Sequence, residues 1–98
     1  MLIRAAGPSL AQYGISSYIP DPQITLFSGS YTLATNAGWA ADSQISTVAA
    51  TVGAFSWGKT STADSAILIT LAPGSYTAQV NGVSGDTGAT LIEVYDVP

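Results

Sequence analysis

Asp21, Asp42, Asp64, Asp86, Glu93 and Asp96, with Arg4 and Lys59, are the only charged side chains in this 98-residue chain, which has no histidine and no cysteine. That inventory leaves little chemistry. A nucleophilic Ser or Thr needs a base beside it. The single amine, Lys59, falls in a polar loop, so a Ser–Lys dyad is the one nucleophilic pair the chain could build. Glycoside hydrolysis needs two facing carboxylates. Asp21, Asp42, Asp64 and Asp86 stand at turns or element starts, where turn and cap roles explain them. Glu93 is the one acid inside a strand, with Leu91 and Tyr95 on its face and Arg4 as a cross-strand partner. A structural ion pair is expected there rather than a general acid. Without thiols there is no disulfide and no thiolate metal site, and no clustered-oxygen calcium loop of the D-x-D-x-D-G kind occurs. We assign no catalytic, metal or cofactor-binding residue, and expect no enzyme.

Composition narrows the partners. Only 8% of the residues are charged, against about 25% in an ordinary soluble domain. Such a chain is weakly protected against self-association. Net charge is −4 with two cations, too few to neutralise nucleic-acid phosphates or to hold an anionic bilayer. The longest aliphatic run, Ala66–Ile69, is far below the roughly 20 residues of a membrane span. The absence of cysteine suits the cytosol and thiol-free secreted proteins equally.

The elements must be read from patterning. Residues 1–6 are an apolar, strand-like run broken by Gly7-Pro8. One helical turn over Ser9–Tyr13 is expected, capped by Ser9. Gln23–Ser28 and Tyr31–Thr35 read as a hairpin around Gly29-Ser30. Asp42–Val52 places Ile45, Val48, Ala49 and Val52 at helical spacing, with Asp42 as cap and Gly53 as stop. Phe55 and Trp57 read as plugs for one end of a core. Ser65–Leu71, apolar on both faces, reads as a central strand. The C-terminal stretch APGSYTAQVNGVSGDTGATLIEVYDV reads as a second hairpin around a Gly-rich turn. In it Tyr76, Ala78, Val80, Ile92 and Val94 face the core, and Leu91, Glu93 and Tyr95 face the other way. The sum is one domain over residues 1–98, an all-β antiparallel sandwich of Ig-like or Greek-key-like connectivity with one short helix. An open barrel is the alternative.

Several stretches together resemble a β-rich repeat domain of large secreted proteins of environmental bacteria. They are LIRAAGPSL at 2–10, DPQITLF at 21–27, ATNAGW at 34–39, VGAF at 52–55 and the stretch at 72–97. The resemblance covers nearly the whole chain. It implies a β-sandwich with an extracellular, structural or adhesive role, and no activity. Two departures matter. The family's Asp-Asn-Asp before the tryptophan is here Asn36-Ala37-Gly38, which weakens any calcium reading of that loop. The family also carries a further strand upstream of LIRA. Because this chain opens directly into strand-like residues with no signal-peptide pattern, we expect a mature fragment, a processed product or one repeat of something longer.

A sandwich short of one strand would expose an unpaired edge beside Met1–Ala6, open to a strand from a neighbour. The expected function is therefore a structural subunit of an extracellular fibril or surface filament, partnered by copies of itself. Met1, Leu2, Ile3, Leu91 and Tyr95 are its expected contact residues. The alternative is a carbohydrate- or surface-binding module of a larger secreted protein, using Tyr13, Tyr18, Tyr31, Trp39 and Trp57 as a stacking platform. The hydroxyl-rich loop with Thr60, Ser61 and Thr62 is a candidate for O-linked glycans.

Overall fold

The computed structural model describes residues 1–40, 42–57 and 63–97. Among them, six strands form two three-stranded antiparallel sheets, giving the expected all-β, sandwich-like fold. In the first sheet β1 (Leu2–Ala6) lies between β4 (Ser65–Leu68) and β6 (Leu91–Tyr95). In the second, β2 (Pro22–Ser28) lies between β3 (Tyr31–Ala37) and β5 (Thr77–Gly82). Every step along the chain changes sheet except the β2–β3 hairpin, which turns at Gly29 in a left-handed conformation, φ 59°.

The central strand of the first sheet, β1, is covered on both faces. Ile3 and Ala5 point at the second sheet and join Ile24, Leu26 and Ile67 in one core cluster. Leu2 and Ala6 point the other way and join Leu10, Trp39, Ala49, Trp57 and Ala66 in another. That second cluster is roofed by α1 (Ser43–Thr51), whose Ile45, Val48 and Ala49 supply its lower stripe. Asp42 caps α1 as expected, accepting from the backbone N–H of Gln44 and Ile45 at 2.8 and 3.3 Å. Gly53 follows it with φ 77°.

Four expectations are corrected. The edge beside Met1–Ala6 is not open: β1 is a central strand, and Leu2 and Ile3 are 0% and 2% exposed. Its partners come from far along the same chain, so no donated strand is needed there. Ser65–Leu71 is not a central strand; β4 ends at Leu68 and lies at a sheet edge. Residues 72–97 do not form a hairpin, because β5 pairs with β2 and β6 with β1. Finally, Pro8–Tyr13 forms a 3-10 helix without a side-chain cap, and Ser9 is buried and bonded elsewhere. The chain reaches that helix through Gly7, where a Cβ would lie 2.0 Å from the carbonyl oxygen of Ile19. No larger residue fits without moving backbone.

Candidate functional site

Arg4 is densely partnered. It sits mid-β1, directly opposite Glu93 on β6, and is 2% exposed. Its Nε and Nη2 donate to Glu93 Oε1 at 3.2 and 2.9 Å, and its Nη1 donates to the Phe55 carbonyl at 2.9 Å. The guanidinium lies 4.6 Å from the ring centre of Phe55 and 4.2 Å from that of Trp57. The Tyr95 hydroxyl donates to Glu93 Oε2. That hydrogen bond, then burial and the Glu93 charge, push the Tyr95 phenol above its ordinary value of 10.0, with Arg4 opposing. Both carboxylate oxygens of Glu93 are thus occupied, and the pair is the expected structural one. It clamps β1 to β6 under an aromatic lid.

Asp64 makes a second clamp that turn chemistry alone did not reveal. It is 0% exposed. Its Oδ1 accepts from the backbone N–H of Gly7 and Ser9 at 2.7 and 3.1 Å, and its Oδ2 accepts from Ser9 Oγ at 2.6 Å. A carboxylate holding three buried donors fixes the 3-10 helix to the start of β4. Asp64 also lends its backbone carbonyl to the Trp39 N–H at 2.8 Å.

The aromatic platform is not assembled on the surface. Trp39 and Trp57 are 7% and 8% exposed and meet edge to face, with ring centres 5.3 Å apart. Neither presents an open ring face for a sugar to stack on, whereas Tyr31, expected in the same platform, is exposed. Tyr13 is exposed and Tyr18 half-buried, and Tyr13 sets its ring against Phe55 at 5.3 Å. Thr60, Ser61 and Thr62 lie outside the described residues. Among the described residues, no group of three acids, histidines or cysteines could hold a metal, and no helix is long and apolar enough to cross a membrane.

Of the five expected contact residues, only Leu91 is exposed. Leu2 and Ile3 are core, and Met1 is half-buried, its amino group donating to the Ile69 carbonyl at 2.9 Å. Tyr95 packs on the helix-side cluster of its own subunit. The two faces of β6 contain the residues expected of them, but Tyr95 is half-buried and the two residues expected in the core are exposed, Leu91 alone being exposed as expected. Ile92 and Val94 stand opposite Ala5 and Ile3 and share their face. They are nonetheless 45% and 58% exposed, because the second sheet does not reach over β6.

The four sheet edges differ in protection. β3 carries a bulge, skipping Leu33 between the pairs Leu26–Ala34 and Phe27–Thr32. β4 is covered by the Asn36 side chain, whose Oδ1 accepts the Ala66 N–H at 3.1 Å. β5 exposes Thr77, Gln79 and Asn81. β6 exposes Leu91, Ile92 and Val94, and its one charge, Glu93, is turned inward onto Arg4. No family model, curated protein or solved structure matches the chain.

Proposed function

We propose that this protein is a structural subunit of an extracellular bacterial assembly, built by repeated contacts between copies in which β6 is the adhesive edge. The observation that supports the reading most directly is Ile92 and Val94. They lie on an edge strand with no outward charge, no proline and no bulge, the devices that ordinarily keep strand edges apart. The low overall charge and the resemblance to secreted repeat domains support it too. A copy pairing along β6 would extend the sheet and cover the two side chains that the second sheet leaves wet. Negative-stain imaging and size-exclusion of the purified chain test this. Concentration-dependent polymers are expected from the wild type, and monomer from Val94→Lys, which puts a charge on the edge. A wild-type monomer at high concentration, or a Val94→Lys variant that polymerises as before, would remove the proposal.

A further inference from the structure

The strand β6 reads Leu91-Ile92-Glu93-Val94-Tyr95, and its apolar pattern is nearly the same in both directions about Glu93. Ile92 and Val94 stand one residue to either side, on the face shared with Ala5 and Ile3. Leu91 and Tyr95 stand two residues to either side, on the helix face with Glu93 itself. An antiparallel partner runs the other way, so a strand of this pattern is complementary to a second copy of itself. The other three edges offer it no such match. β3 is bulged, β4 is covered by Asn36, and β5 exposes Thr77, Gln79 and Asn81.

Symmetry limits the register. A two-fold axis perpendicular to the sheet keeps each face on its own side, and residues directly opposite in an antiparallel pair share a face. Only registers centred on a residue satisfy both conditions. Centring on Val94 sets Ile92 against the Asp96 carboxylate of the other copy, and centring on Ile92 sets Val94 against Thr90. Centring on Glu93 sets Ile92 against Val94 twice over, and Leu91 against Tyr95 twice over. Like charges directly opposite normally weaken such a pair. Here each Glu93 is held by its own Arg4 at 2.9 Å and by its own Tyr95 hydroxyl, so two ion pairs meet rather than two free anions. We propose that two copies of this chain dock through β6 as an antiparallel pair with a two-fold axis at Glu93, joining their three-stranded first sheets into one continuous sheet. Ile92 and Val94, 45% and 58% exposed in the single chain, are then each packed against an aliphatic neighbour. This rests on the assembly reading and deepens it. An isologous contact closes on itself, so the building unit is a dimer, and growth beyond two adds dimers through a second surface.

The chain has no cysteine of its own, so disulfide cross-linking of single-cysteine variants reads the register. Ile92→Cys and Val94→Cys change exposed positions and should keep the fold. The two are prepared separately, mixed in equal amounts and mildly oxidised, and intact mass separates the mixed dimer from the two self-dimers. Directly opposite residues have Cα atoms about 4.5–5.5 Å apart, within disulfide reach, and diagonal ones lie at about 7–8 Å, outside it. The mixed disulfide should therefore exceed either self-disulfide by about tenfold, against about twofold for random pairing. A ratio at the random value, or a self-disulfide in the majority, overturns the two-fold register at Glu93. Wild-type polymers with no covalent dimer from the mixed variants overturn it too, and leave the assembly reading standing with β6 meeting a different edge. A wild type that stays monomeric at high concentration removes both.

Discussion

Ile3 and Val94 face each other across the β1–β6 ladder with their side chains on the same side of the sheet, yet Ile3 is 2% exposed and Val94 58%. Both are β-branched aliphatics in good strand context. What separates them is the layer above. Ile3 lies under the second sheet, among Ile24, Leu26 and Ile67, whereas β6 extends past the reach of that sheet. On the opposite face the two strands are treated alike from Arg4–Glu93 to Leu2–Tyr95, though Leu91 is exposed where its partner Ala6 is buried. Arg4 is tucked beneath Phe55 and Trp57 and holds the half-buried Glu93 in an ion pair, and Tyr95 joins the cluster that contains Leu2. Burial in this molecule is therefore a property of layer overlap. A strand can be packed on one face and exposed on the other.

The largest way to break this comparison is to remove the clamp that ties the two strands together on the helix side. Arg4→Met leaves the Glu93 carboxylate largely buried without its cation, and truncating one partner of a buried pair costs about 3–5 kcal/mol. Denaturant unfolding of Arg4→Met, Glu93→Gln and the double variant should show the double variant losing less than the sum of the singles. Strict additivity would mean that the clamp is not an energetic unit. The second test sets the two opposed residues against each other. Ile3→Ala should cost about 2–4 kcal/mol, as for a buried aliphatic truncated in a packed core. Val94→Ala should stay within about 0.5 kcal/mol in the monomer, as at other exposed sites. Equal losses would show that Val94 is covered in solution by something within the same chain.

The comparison also marks where the sequence was readable. The β2–β3 hairpin and α1 follow from neighbours in the chain: Gly29 at the turn, Asp42 at the cap, and Ile45, Val48 and Ala49 at helical spacing. Partner choice does not follow that way. The alternation in Thr77–Gly82 identifies a strand but carries no mark that its partner is β2 rather than β6. LIRAA and SAIL are both apolar on both faces, and only the closure of β6 onto β1 makes the first central and the second an edge. Arg4 and Glu93 were legible as a pair because they are the scarce opposite charges on two strands. Asp64 was not legible as a clamp, since an aspartate before a strand has the same local signature whether it turns the chain outward or holds three donors inside.

A smaller effect sharpens the helix-side half of the comparison. Tyr95→Phe keeps the ring packed on its cluster and removes only the hydroxyl that donates to Glu93 Oε2. A hydrogen bond to a charged acceptor contributes about 1.5–3 kcal/mol when buried, and this half-buried one should fall near the lower bound. Because the folded state holds the Tyr95 proton more tightly than the unfolded chain, this contribution is present below pH 10.0 and is lost as pH rises through the raised folded value. Ultraviolet titration of the tyrosines should show one phenol ionising last, and Tyr95→Phe should remove that phase. If the last phase survives in Tyr95→Phe, the clamp does not include the hydroxyl.

The smallest effect lies at the open end of the molecule, where the β5–β6 connection meets the start of β2. Ser84 Oγ donates to Asp21 Oδ2 at 2.6 Å and stands 3.1 Å from Asp86 Oδ2, while the Val83 N–H donates to the Asp21 carbonyl at 3.0 Å. The Ser84 hydrogen bond is the main reason the Asp21 carboxyl lies below its ordinary value of 3.8, with desolvation opposing and Asp86 and the backbone assisting. A lowered folded value means the contribution is present in full above pH 3.8 and disappears as pH falls through the folded value. Ser84→Ala should therefore be less stable than wild type at neutral pH. The gap should close on acidification below 3.8, where the carboxylate that accepted the bond is protonated. Denaturant midpoints of the two proteins at neutral and strongly acid pH measure it. Unlike the Arg4 clamp, this contact is exposed, so added salt should also shrink the gap. A gap that is the same at both pH values would mean that Ser84 acts through the turn backbone rather than through Asp21.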